Sequence, residues 1–283
     1  MTWKCLSISY THGMAKNVTL IKLGGSLITD KNIPQSVRFS ILERLLSEIK
    51  VVMTQSPDTC FILGHGSGSF AHYPAAQYGT AHGFRDDTSA FGMAVTQDSA
   101  ARLNRIVVEK ALEKQLPAVS FYVSNTVVTQ QEKLHSFYLD ALETYLNHQL
   151  LPIITGDVLP DNTQGCMIWS ADTILPFIGL ELQKKGWQVN QLLHVTQTNG
   201  VWKNPMGDQD GFFEIINGDN FAMVKQAMGV TSGTDVTGGM WTKIQEAHQL
   251  ALQGVPSQII TGEIAGNMSK ALAGEHVGTL IQP

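Results

Sequence analysis

Short apolar runs that end in glycine-rich turns alternate along this sequence with longer segments of helical spacing, and that alternation constrains the fold more than any other feature. The runs are Val18 to Leu23, Cys60 to Leu63, Ala118 to Tyr122, Leu151 to Thr155, Leu192 to Thr196 and Gln258 to Thr261. They read as buried strands. Between them, Leu42, Leu45, Leu46 and Ile49, then Leu103, Val107, Ala111 and Leu112, and later Ile244, Ala247, Leu250 and Ala251 carry the spacing of amphipathic helices. Strand and helix in turn predict an α/β fold with a mainly parallel sheet covered on both faces, and ligands at the carboxyl ends of its strands. No fixed-period repeat or flexible linker divides the chain, so its two halves are expected to share one continuous sheet. A soft boundary falls near Gly165, where Val158 to Trp169, with Pro160-Asp161-Asn162, reads as a hairpin.

Composition narrows the partner. A chain of 283 residues that is 43% hydrophobic can bury a full core, and its net charge of −5 argues against a nucleic-acid-coating or polybasic membrane protein, since both need a cationic face. A small-molecule partner is therefore expected. Cys5, Cys60 and Cys166 are scattered, without a CxxC spacing, and indicate neither a disulfide framework nor a structural zinc site. No apolar run approaches the roughly 20 residues of a membrane span, and the N-terminus lacks the zones of a signal peptide, so a soluble, cytoplasmic protein is expected. Residues 1 to 17 are polar and unpatterned and are expected to form a disordered extension, with Met14 a candidate natural start.

Three glycine clusters follow or precede regular elements. The first strand runs into Lys22-Leu23-Gly24-Gly25-Ser26, with Asp30-Lys31 a few residues on, and the second into His65-Gly66-Ser67-Gly68-Ser69-Phe70-Ala71-His72. The third, Asp235-Val236-Thr237-Gly238-Gly239-Met240, precedes a helical segment containing Lys243. Glycine lets backbone N–H groups converge on an anion, and a following helix N-terminus adds partial positive charge. Two such loops suggest a polyphosphate held between them, and phosphoryl transfer needs cations such as Lys22, Lys31 and Lys243 along the path of the moving charge. The dinucleotide fingerprint, the Walker lysine and the nucleophile elbow all fail on these residues.

At these residues the chain resembles the amino acid kinase superfamily and, within it, is most similar to the isopentenyl phosphate kinases. The matching pieces occur in family order: Lys22 to Ser26 with Asp30-Lys31, His65 to His72, Arg102-Leu-Asn-Arg105, Pro117 to Ser120, Gly156-Asp157, Ser170-Ala-Asp172 and Asp235 to Met240. The resemblance implies an open αβα sandwich. It places the acceptor over a lobe of residues 18–165 and ATP over a lobe of residues 166–283, usually in a homodimer. It also implies transfer of the ATP γ-phosphoryl group to isopentenyl phosphate.

Carried over position by position, His72 holds the acceptor phosphate, Ser67 and Gly156 contact it through backbone N–H groups, and Asp157 stands beside them. Lys22 and Gly68 line the transferred phosphate, and Lys31 stabilises the transition state. Gly24, Gly25, Ser26, Thr196, Gly238, Gly239 and Lys243 belong to the ATP side. Magnesium is implied as a companion of ATP, held by nucleotide oxygens and water, with Asp157 or Asp172 in its outer shell; no direct protein ligand is assigned.

Bland readings stand beside several of these. His65 reads as a hydrogen-bonded structural residue, Asp172 as the cap of the helix that starts there, and Asp157 as either an orienting residue or a turn cap. Phe84, Phe91, Phe121 and Tyr122 are candidates for the wall of an isoprenoid pocket, although aromatics at such spacing more often belong to the core. The chain also departs from the family pattern, with Ser67 inside the glycine loop, Ala171 between Ser170 and Asp172, and Gln197 and Asn199 where the pattern has two acids. Two other functions stay open here: a kinase of another small phosphate or phosphonate, such as the fosfomycin kinases, and a catalytically silent nucleotide-binding regulator.

Overall fold

A computed structural model describes residues 16–204, 211–229 and 239–283. Its strands, in chain order, are β1 (Asn17–Leu23), β2 (Thr59–His65), β3 (Ala118–Ser120), β4 (Val127–Gln130), β5 (Lys133–Phe137), β6 (Leu151–Thr155), β7 (Asp157–Asp161), β8 (Gly165–Trp169), β9 (Gln188–Thr196), β10 (Val201–Trp202), β11 (Phe212–Phe213), β12 (Ile215–Ile216), β13 (Ser257–Thr261) and β14 (Thr279–Ile281). The α-helices are α1 (Gly25–Ile28), α2 (Phe39–Gln55), α3 (Gly68–Gln77), α4 (Ser89–Glu113), α5 (Asp140–Asn147), α6 (Ala171–Lys184), α7 (Phe221–Ala227), α8 (Met240–Ala251) and α9 (Asn267–Leu272). Each of the six apolar runs contributes a strand, although β3 stops at Ser120, short of Tyr122. The first strand begins at Asn17, one residue inside the stretch read as an extension, and residues 1–15 lie outside the described residues.

Eight strands form one sheet in the order β12-β14-β13-β9-β1-β2-β6-β3. Its pairs are parallel except β13 with β14. Strands from the first and second halves of the sequence meet where β1 pairs with β9, so the sheet is continuous across them. The expected hairpin is β7 and β8, which belong to a smaller sheet in the order β5-β4-β7-β8.

Period-two alternation sorts β1 between two cores. Ile21 and Leu23 pack on one face with Leu42, Leu45, Leu46 and Ile49 of α2 and Leu103 and Val107 of α4. Val18 and Leu20 pack on the other with Ile174, Leu175 and Ile178 of α6 and Leu250 of α8. The result is three layers, helices on both faces of a parallel sheet, with each buried Leu or Ile stabilising the fold by about 1.5–3 kcal/mol. Lys22 has the parity of Val18 and Leu20, so its side chain leaves β1 on the face covered by α6 and α8. Among the described residues no helix is long and apolar enough to cross a membrane.

Candidate active site

The carboxyl ends of β1, β2, β6 and β9 open into a cleft of about 650 Å³. Two glycine turns form its floor and interlock. Gly24 N–H donates to the Val195 carbonyl at 2.7 Å, and Gly66 N–H to the Leu23 carbonyl at 3.0 Å. A Cβ on Gly25 would stand 2.6 Å from the Gly68 backbone nitrogen, and Gly68 itself has φ +52 with Thr29 Oγ1 where a side chain would go. That threonine ties the turns together, donating to the Gly25 carbonyl at 2.8 Å and accepting from Ser69 N–H at 3.0 Å. Only glycine permits backbone contact this close, which explains the two glycine-rich sequences in structural terms.

Three helices start at this cleft: α3 behind Ser67, α6 behind Ser170 and α8 behind Gly239. Their N-terminal N–H groups and partial positive charges face the same space, an arrangement suited to several linked anionic groups. Lys22, Lys31 and Lys243 line it as well. Lys22 and Lys243 are buried, whereas Lys31 is exposed at the mouth.

Asp172, in the first turn of α6, organises the two buried lysines. Its Oδ2 accepts from Lys22 Nζ at 2.8 Å and its Oδ1 from Lys243 Nζ at 2.7 Å. Burial alone would raise this carboxyl's pKa, but the charges of Lys22 and Lys243 outweigh it and hold Asp172 well below the usual carboxylate range. Burial and the charge of Lys22 push Lys243 down to about 8, against the pull of Asp172. The helix-cap reading of Asp172 is corrected here: Ser170 is the N-cap, its side chain accepting from Thr173 N–H, which leaves Asp172 free to point at the lysines.

Of the other residues assigned to catalysis, acceptor or ATP, all line the cleft but Gly238, which falls outside the described residues, as do Asp235 and Thr237. Gly24, Gly25, Ser26, Ser67, Gly68, His72, Gly156, Asp157, Thr196 and Gly239 are all there. His72 projects from α3 with solvent access, yet its pKa is lowered by partial burial and by the charge of Lys31. Asp157 is taken up by the backbone: Oδ2 accepts from Ser124 N–H at 2.9 Å and Oδ1 from Val158 N–H at 2.8 Å, while burial raises its pKa. It anchors the turn at Val123–Asn125 beneath the cleft. His65 is structural, fully buried, with Nδ1 3.1 Å from the Gly66 carbonyl and Nε2 3.3 Å from Asn104 Nδ2.

The four candidate wall aromatics are elsewhere. Phe121 is in the core, Phe84 and Phe91 are exposed, and none of the four lines the cleft. The apolar wall is made instead by Ala71 and Ala75 of α3, Ala100 of α4, and Val158, Ile168 and Trp169 of the hairpin. Reading the sequence missed Asp172 as an organiser, Trp169 as a wall, and His194, buried on β9 beside Lys22. The sequence signals that Lys22, at the end of an apolar strand, needs a counter-charge, but not which acid supplies it.

The amino acid kinase family model matches residues 17–261. The chain belongs to the amino acid kinase family. Within the family it is 31% identical over 277 residues to isopentenyl phosphate kinase of Methanocaldococcus jannaschii, covering 93% of this chain and 98% of that relative. It is also 31% identical over 271 residues to isopentenyl phosphate kinase of Methanothermobacter thermautotrophicus, with the same coverage. A crystallographic isopentenyl phosphate kinase superposes with TM-score 0.78 at 28% identity, over 94% of this chain and all of that one. The amino acid kinase is thus a small-molecule phosphotransferase, and its cleft has the cations and helix termini that such chemistry requires.

Proposed function

We propose that the chain transfers the γ-phosphoryl group of ATP to isopentenyl phosphate, giving isopentenyl diphosphate and ADP. The observation that carries this reading is the convergence of three helix N-termini and three lysines on one cleft whose far wall is apolar. The names of the two archaeal relatives, matched over almost their whole length, supply the substrate.

The residues divide the work by position. On the first-half side, His72 and the Ser67 N–H bind the acceptor phosphate, and its short apolar tail lies against Ala71, Ala75, Val158 and Ile168. The Gly156 N–H, expected to join them, donates instead to the His65 carbonyl at 3.2 Å. On the second-half side, Thr196, Gly239 and Lys243 receive the nucleotide phosphates, and Lys22 stands between the two with Gly24, Gly25, Ser26 and Gly68. An acceptor oxygen attacks the γ-phosphorus in line, the bond to the bridging oxygen breaks, and ADP leaves with its electron pair. Lys22 and Lys31 offset the charge on the moving group.

The protonation states favour an acceptor that is already an anion. Asp172 is locked between two lysines and Asp157 is bonded to backbone N–H groups, so neither is disposed to take a proton from a hydroxyl. A phosphate oxygen requires no such base. Magnesium is handled as part of the nucleotide substrate: among the described residues no group of three or more His, Cys, Asp or Glu side chains is placed to hold a metal ion, and both cleft carboxylates are engaged.

The test is ADP release with Mg-ATP and a panel of isopentenyl phosphate, dimethylallyl phosphate, fosfomycin, acetylglutamate and UMP. The expected result is a kcat/KM for isopentenyl phosphate well above that for the last three. Preference for one of those three, or silence across the panel, rejects this reading.

A further inference from the structure

One buried titratable group has no place in the mechanism above. His194 lies on β9 in parallel register with Lys22 of β1, so the two side chains emerge side by side on the face covered by α6 and α8. The strand is otherwise a run of buried Leu192, Leu193 and Val195, and His194 is itself fully buried. A polar ring in such a strand destabilises the fold unless something uses it. Its Nδ1 lies 3.3 Å from Asp172 Oδ1, the oxygen that also accepts from Lys243. Among the described residues neither ring nitrogen has a partner in good hydrogen-bond geometry, so the carboxylate is the group toward which a small rotation completes a bond.

We propose that His194 is a positioning residue for phosphoryl transfer, its neutral imidazole donating from Nδ1 to Asp172 and so fixing the carboxylate that places Lys22 and Lys243. The tautomer follows from the chemistry of the neighbours. Asp172 is ionised between two lysines and only accepts, so the nitrogen facing it carries the hydrogen. Nε2 is then left as a bare acceptor, which a protein interior tolerates better than an orphaned N–H. A second proton would bury a cation beside two ammonium groups, and burial accordingly lowers this histidine's pKa to about 4.

The contact matters most when substrate is bound. Phosphate oxygens then compete with Asp172 for the lysines, and a carboxylate released by its cations is free to swing on its rotatable bonds. A third contact from the sheet holds it, keeping both ammonium groups in register with the moving phosphoryl group. The inference rests on the phosphotransfer reading of the cleft, so its first test needs no turnover.

Long-range proton–nitrogen correlation on the isotope-labelled full chain near neutral pH reads the His194 tautomer, assigned with His194→Phe or His194→Asn. A hydrogen on Nδ1 and a bare Nε2 is the expected result; a hydrogen on Nε2, or an imidazolium, overturns the proposal. In kinetics, His194→Phe is expected to lower kcat roughly tenfold while the acceptor KM stays within about twofold, since a misplaced catalytic group is felt in the transition state. His194→Asn, whose amide replaces the Nδ1 donor, is expected to recover most of the loss. An unchanged kcat in the Phe variant, or equal losses in Phe and Asn variants of matching thermal stability, rejects the positioning role. Failure of isopentenyl phosphate as acceptor would leave the tautomer result standing, so the two readings fail separately.

Discussion

Asp172 holds two buried ammonium groups with one carboxylate, and the consequences can be measured at the level of single side chains. Asp172→Ala leaves Lys22 and Lys243 buried without their counter-charge, a change expected to destabilise the fold by about 3–5 kcal/mol in denaturant titration. The depressed Asp172 pKa predicts the sign of the acid response. Its stabilising contribution is complete above the unfolded carboxylate range and is lost as pH falls through the lower folded value. Lys243 behaves in the opposite sense. The unfolded chain keeps that proton to about the ordinary lysine value of 10.5, while the folded chain releases it near 8, so between these values the unfolded state binds more protons and the contribution of Lys243 to stability rises with pH. Activity should move the other way, because a neutral Lys243 no longer offsets phosphate charge. The expected profile is a kcat/KM for ATP that falls above about pH 8 with no matching loss of thermal stability. A flat profile to pH 10 would contradict the lowered Lys243 pKa, and unchanged ATP kinetics in Lys243→Met would remove this lysine from the nucleotide site.

At the scale of the elements, the glycine turns after β1 and β2 act as one piece. A methyl group at Gly25 meets the backbone of Gly68 and has no flexible side chain to push aside. Gly25→Ala is therefore expected to lower stability by about 1–3 kcal/mol in urea and to reduce turnover more than stability alone explains, because the phosphate floor is shared by both turns. These turns were legible in the sequence, since each is a glycine run directly after an apolar strand, and the first also carries Lys22 and Lys31. Asp172 was not, because an acid in the first turn of a helix looks like a cap until the true cap, Ser170, is seen. His194 was invisible for a different reason. A histidine inside an apolar strand has no spacing signature, and its partner is fixed only by the β1–β9 register and the packing of α6, neither of which is written locally. The apolar wall was misjudged because large aromatics drew attention, whereas the wall depends on small alanines that leave room.

At the scale of the whole molecule, the strand that carries Lys22 is enclosed on every side. It pairs with β2 on one side and β9 on the other, and it is packed by helices on both faces. Native-state hydrogen exchange should be slowest at its amides, Leu20 and Ile21 in particular, and faster in β5, whose first residues are exposed. Equal protection in both strands would contradict this picture. The alternation of runs made the layered sheet predictable, and the register of its halves was the part that only the assembled sheet reveals.

The central position of β1 also bears on how the protein is made. β1 is an inner strand of the finished sheet, and its two neighbours are made at different times: β2 covers one edge early, but the other edge waits for Gln188 and the residues after it. At about 5–20 residues per second that wait is roughly 10–30 s, during which an apolar strand with an open edge is a template for a neighbouring nascent chain. Lys22, later enclosed by α6 and α8, is still hydrated through this interval and sits at the carboxyl end of the exposed edge. The charge that later serves the cleft then opposes edge-to-edge association while the chain is incomplete.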